Sequence, residues 1–329
     1  MSRIYYFPVV VAALIGAFTM ACDGPDRTPR TSRTSSVPAT PASATTEESG
    51  TLTPPVVDAA VAPANVSYAD AESAFQRRRY AEAAELFASY TASQPDNAWG
   101  HYMYGLSAWK SGAHERALEQ FDEALRLDPN HRKSLLNSGR VLLETSRPQE
   151  ALSRIERALA IEPLFSEGLR LLGRARNELG QVPEAIDAYQ RAISLNEQDV
   201  WAMNNLGLIY IQQGRSDEAL PPLARAVQLR SNAPVFQNNL GMALERSGHT
   251  AAARHAYASA IESDSTYAKA AASLTRLGGP VDDTVADSAE TVDLAVFARE
   301  FQAEIERWRD TTSSDSVAVE MVRDTVVSE

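Results

Sequence analysis

The stretch Trp201-Ala202-Met203-Asn204-Asn205-Leu206-Gly207-Leu208-Ile209-Tyr210, followed at Gly214-Arg215 by a turn and then by Ala219, Leu223 and Ala226, decides the fold. Its apolar residues recur at helical spacing on both sides of the turn, so it reads as two short helices folded back on each other. The same pattern recurs along the chain. Gly105, Gly139, Gly173, Gly207 and Gly241 are each 34 residues apart. Ala83, Ala117, Ala151, Ala185, Ala219 and Ala253 keep the same step, and four residues after each stands Phe87, Phe121, Ile155, Tyr189, Leu223 or Tyr257. A third series, Ala124, Ala158, Ala192, Ala226 and Ala260, follows three residues later. Gly and Ala are needed where two helices approach closely. The bulky residue one turn after each Ala lies on the same helical face and fills the adjoining gap.

A fixed period of this length is the signature of stacked helix pairs, each burying its apolar face against its neighbours. Turn signals fall between paired helices at Ser111-Gly112, Ser146-Arg147-Pro148, Gly180-Gln181, Gly214-Arg215 and Ser247-Gly248. Six units follow: 64–97, 98–131, 132–165, 166–199, 200–233 and 234–267. The first has Ala71 where the others have Gly, and a capping helix is expected over 268–277 before Gly278-Gly279-Pro280 stops it. Pro95, Pro129 and Pro163 close the first three units. Pro221-Pro222, inside the second helix of the fifth unit, is expected to kink that helix or delay its start.

This spacing resembles the tetratricopeptide repeat (TPR), and Leu206-Gly207-Leu208-Ile209-Tyr210 with Ala219 is close to that family's pattern. The resemblance covers residues 64–267 and the capping helix. It implies an all-α solenoid that acts as a protein-binding scaffold and catalyses nothing. It also implies a concave groove lined by the first helix of each repeat. The groove positions include Trp99, Tyr102 and Trp109 at one end, the cations Lys133, Arg140, Arg170 and Arg174 in the middle, and Asn204 and Asn238 further on. The aromatic residues suit a protein-binding hot spot or packing between repeats. The cations suit a carboxylate ligand or a solvated face, and the asparagines suit the backbone of an extended peptide. The aromatic end also admits an alternative function, a glycan- or peptidoglycan-binding module. A third reading is an accessory subunit of an envelope enzyme complex.

The flanks carry the address. Residues 1–21 read as a secretory signal, with Arg3 ahead of an apolar run from Ile4 to Met20, and Cys22 is the chain's single cysteine. This resembles a bacterial lipoprotein signal, which implies acylation of Cys22, a lipid anchor on a membrane of the bacterial cell envelope and a protein facing the periplasm or exterior. A single N-terminal membrane anchor is the alternative. Residues 22–63, rich in Pro, Ser and Thr, are expected to form a disordered tether. At the other end lie an acidic linker over 278–290, an amphipathic helix over 291–309 and a disordered tail over 310–329. The helix carries Leu294, Phe297, Phe301, Ile305 and Trp308 on one stripe, suited to its own solenoid or to a partner helix.

Charge supports an interaction role away from nucleic acid. The net charge is −12, of which −9 falls on residues 278–329 and −1 on residues 1–63, so the repeats are almost neutral. No basic surface faces phosphates. An acidic C-terminal segment could instead seat itself on the cations of the groove. No HExxH, CxxCH, GxxxxGK[ST] or GxSxG motif is present in the chain, so neither a metal nor a cofactor is expected.

Overall fold

The computed structural model describes residues 66–280 and 292–326, with residues 311–326 in backbone only. The signal, Cys22, the tether and most of the acidic linker lie outside the described residues.

The described residues form helices and no strand. Each unit of the period is one helix pair. These are α1 (Tyr68–Gln76) with α2 (Tyr80–Ser93), α3 (Ala98–Lys110) with α4 (His114–Leu127), α5 (Arg132–Glu144) with α6 (Pro148–Ile161), α7 (Ser166–Glu178) with α8 (Val182–Leu195), α9 (Val200–Gln212) with α10 (Ser216–Leu229), and α11 (Pro234–Arg246) with α12 (Thr250–Ser263). The capping helix α13 (Ala268–Arg276) and the long α14 (Leu294–Val326) follow.

The five periodic glycines occupy equivalent contacts, each against the bulky residue of its own pair. A Cβ on Gly105 would stand 2.8 Å from Phe121, on Gly173 2.9 Å from Tyr189, and on Gly241 2.7 Å from Tyr257. Gly139 faces Ile155 and Gly207 faces Leu223 in the same way. Glycine is therefore required here by helix-to-helix distance. At the turns it is favoured by the backbone: Gly112, Gly180, Gly214 and Gly248 all have positive φ. Arg78 and Ser146 hold the same left-handed conformation in the first and third units without being glycine.

First helices of neighbouring repeats pack on one another, α3 on α5, α5 on α7, α7 on α9 and α9 on α11. Second helices of neighbouring repeats are not among the principal contacts, so the first helices crowd together on the inner side of the stack and the second helices spread on the outer side. Pro221-Pro222 does not delay its helix: α10 starts at Ser216, the same register as the other second helices. Its two missing amides leave the carbonyls of Asp217 and Glu218 without their helical partners.

α14 is longer than the 291–309 segment expected. No Pro or Gly lies between Leu294 and Val326, and the backbone stays helical through residues assigned to a tail. Its stripe does not lie on the groove cations. It packs on α10 and α8, which are second helices, with Ala298, Phe301 and Ile305 inside the same apolar cluster as the core of the last three repeats. Arg140, Arg170 and Arg174 already pair with acids, as described below, which leaves an acidic helix little to gain there. None of the described helices is long and apolar enough to cross a membrane.

Candidate protein-interaction surfaces

The inner face divides into three chemically different parts. At its N-terminal end Trp99 is 41% exposed, yet its ring is well anchored. Its Nε1 donates to the Tyr68 hydroxyl at 2.7 Å, Tyr102 lies 5.0 Å away between ring centroids, and Lys133 Nζ sits 4.8 Å over the ring. Tyr102 itself is buried and accepts a hydrogen bond from Asn137 Nδ2 at 3.2 Å. Burial pushes its phenol up from the ordinary value. Trp109 is also buried, with its Nε1 donating to Glu144 Oε2 at 2.7 Å. Of the three aromatic residues, two therefore hold repeats together and one presents a surface.

His131 joins this end to the next repeat. It is the N-cap of α5, and its Nδ1 accepts from the Ser134 amide at 3.3 Å, which requires that nitrogen to be unprotonated. Its ring packs 5.0 Å from Tyr102 and 5.8 Å from Trp99. Burial lowers its pKa, Lys133 lowers it further, and Asp128 opposes them. Because the folded pKa lies below the unfolded one, this cap stabilises fully above the ordinary histidine range near ~6.5 and is progressively lost as pH falls through it. His131→Asn keeps an N-cap acceptor that does not titrate. We expect the melting temperature of the native chain to fall more steeply than that of His131→Asn between about pH 7 and pH 5, with a difference worth about 1 kcal/mol. Parallel curves would show that the cap does not titrate.

In the middle part each cation is already engaged. The Arg140 guanidinium pairs with Glu167. Arg170 Nε meets Asp199 Oδ2 at 3.1 Å, and Arg174 Nε meets Glu178 Oε1 at 2.9 Å while its Nη2 donates to the Leu143 carbonyl at 3.3 Å. Lys133 is used over Trp99. The sequence shows four cations facing one groove; the structure gives three of them to acids on the same or the following repeat and sets Lys133 over an aromatic ring. An open cleft of about 370 Å³ lies at the junction of repeats four and five, walled by Phe165, Val200 and Trp201 and rimmed by Arg170, Asn196 and Arg230.

The C-terminal part is uncharged up to Glu245, which pairs with Arg276 at its far end. Asn204 is fully buried, and its Oδ1 accepts from Asn239 Nδ2 at 2.8 Å, a first-helix to first-helix bond over the same 35-residue step as Asn137 to Tyr102. Asn238 is buried as well, donating to Asn239 Oδ1 at 3.2 Å. These two asparagines bind neighbouring side chains, while Trp201, Asn205, Leu208, Val235 and Met242 remain partly open around them. The bonding role of Asn137 and Asn239 becomes visible only once the two helices are side by side. The one signal for it is their shared register with Asn205.

Models of the tetratricopeptide repeat match residues 68–132, 108–175 and 200–233, and a TPR-repeat model matches 173–214. Together with the equivalent glycine contacts, this decides what the units are. They are tetratricopeptide repeats. Solved structures share the TPR arrangement. The APC/C hetero-tetramer Cut9-Hcn1 aligns with a TM-score of 0.57 at 18% identity, covering 63% of this chain and 41% of that one. A TPR protein from Parabacteroides merdae aligns at 0.52 and 13%, covering 64% and 81%. MamA from Desulfovibrio magneticus aligns at 0.47 and 24%, covering 49% and 91%. These likenesses concern the fold. No curated protein matches the chain.

Proposed function

We propose that this TPR protein is a membrane-tethered interaction scaffold of the bacterial cell envelope, acylated at Cys22, and that the inner face of repeats five and six receives a peptide or helix of a partner protein. The observation that carries the binding reading is the run of uncharged residues over α9 and residues 234–244 of α11, where Trp201, Leu208, Val235 and Met242 surround an asparagine network. An extended or helical segment with few charges can bury apolar side chains there without stranding an ion. The tether and anchor rest on the signal-like N-terminus and the position of the one cysteine. The glycan alternative is less well supported, because the most exposed aromatic ring, Trp99, already carries Lys133 and Tyr102.

A photoreactive amino acid placed at Leu208 or Met242 in the native host tests the binding reading. We expect defined protein adducts from both positions and none from Glu119 on the outer side of α4. Adducts made only of glycan, or adducts equal at all three positions, would overturn it. Metabolic labelling with a fatty-acid analogue tests the anchor separately: label on the native chain and none on Cys22→Ser is the expected result.

A further inference from the structure

The second helices present matching outer positions at the 34-residue step, and α10 differs there from α4, α6 and α8. Where α4 has Glu119 and Asp122, α6 has Ser153 and Glu156, and α8 has Asp187 and Gln190, α10 has Pro221 and Ala224. Pro222 and Ala224 are buried. What packs on α10 over these two uncharged positions is α14, with Phe301 1% exposed and Ile305 0%. The stripe continues half-buried through Leu294, Phe297 and Trp308, which are packed against the same cluster.

Polar bonds set the register. Glu197 Oε2, just past α8, accepts from Gln302 Nε2 at 2.9 Å and from Arg309 Nη2 at 3.3 Å, and Arg309 Nε donates to the Ser194 carbonyl at 2.9 Å. On α12, Arg254 binds the carbonyls of Gly279 and Pro280, so the chain leaves repeat six beside α12. The C-terminal segment thus touches repeats six, five and four in turn.

The fit is incomplete. Gln302 Oε1 and Arg225 Nε are buried with no hydrogen-bond partner among the described residues. Glu304 is partly buried near Glu218, with Arg307 the nearest opposite charge. Each of these costs binding free energy. A helix joined to its own site works at an effective concentration on the order of millimolar, so even a modest interface stays filled.

We infer that the outer face of α8 and α10 is a second recognition surface of this protein, shaped for an amphipathic helix and filled in cis by the chain's own α14. It is separate from the inner face and does not depend on the peptide-binding reading. The ligand class it takes is a helix with a small residue, an aromatic and an aliphatic residue spaced as Ala298, Phe301 and Ile305, followed one turn later by a donor for Glu197. Such a helix binds only after α14 has left.

Two measurements on the full chain test this. In a Cys22→Ser background, Glu197→Cys with Gln302→Cys is treated with a short bismaleimide. We expect a crosslink within one molecule whose yield does not change on dilution. A dimer band that grows with concentration would mean that a second copy supplies the helix. No crosslink, when each single-cysteine control labels fully, would mean that α14 is not there; either result overturns the inference. A fluorescent peptide of residues 292–310 is then titrated onto Phe301→Asp with Ile305→Asp, with circular dichroism confirming folded repeats. Binding at least about tenfold tighter than to the native chain is expected, because the cis helix no longer competes, and a peptide bearing the same two substitutions should not bind. Equal binding to both proteins, or to neither, overturns it.

Discussion

Gly207→Val will lower the stability of the repeats by about 3 kcal/mol, at the upper end of what overpacking costs. A Cβ at this position would stand 2.5 Å from Leu223 Cγ and 2.9 Å from its Cδ2, the tightest of the five equivalent contacts. Valine adds two further carbons in the same space, far outweighing the helix propensity it gains over glycine, which is worth a few tenths of a kcal/mol. The midpoint of urea unfolding, followed by circular dichroism, will fall accordingly. Two controls separate the clash from a general effect of losing glycine. Gly214→Ala, at φ +75 with nothing within 4 Å of its Cβ, should cost only about 1 kcal/mol through backbone strain. Leu223→Ala in the Gly207→Val background should recover part of the loss, since it vacates the space the valine needs. A double variant as unstable as the two losses added together would show that the contact between α9 and α10 is not what limits position 207.

Asp199→Ala will be comparably damaging, at about 3 kcal/mol. One carboxylate serves three groups: Oδ1 accepts the Ala202 amide at 3.0 Å as the N-cap of α9, while Oδ2 takes Arg170 Nε at 3.1 Å and the Ser166 hydroxyl at 3.4 Å. The Arg170 and Asp199 side chains are 14% and 9% exposed, so removing the acid takes an ion-pair partner from a cation that water reaches poorly. Asp199→Asn keeps the cap acceptor and loses only the charge, and should cost less than half as much. Hydrogen exchange will locate the damage at the start of α7 and α9. Equal losses for the two variants would show that the ion pair contributes nothing beyond its hydrogen bonds.

The position of Asp199 shows where sequence reading stops. The residue is visible as a cap, because a short acceptor ahead of a helix acts on amides two or three residues away. Its pairing with Arg170 spans 29 residues and exists only because α7 and α9 lie side by side. The same limit applied to Arg140 and Glu167, which are 27 residues apart, and to Asn204 and Asn239. The groove positions read from the period include several groups that the same or neighbouring repeats consume. Whether a polar group on a repeat surface is free depends on the partner brought up by the next repeat, which the period alone does not specify.

The repeat architecture itself was legible because it is local. Helix pairs, their turns and the glycines at their crossings are set by contacts within one 34-residue unit, and each unit restates the rule, so the amino-acid sequence by itself determined an all-helical stack and its frame. The site of α14 is a different kind of fact. Its stripe was plain in the sequence, but an apolar stripe specifies a need for cover without naming the surface that supplies it. The tertiary structure alone brought the stripe to the outer side of repeats four and five. Contacts such as Gln302 to Glu197, 105 residues apart, arise from where the folded chain returns and from the uncharged Pro221 and Ala224 on α10.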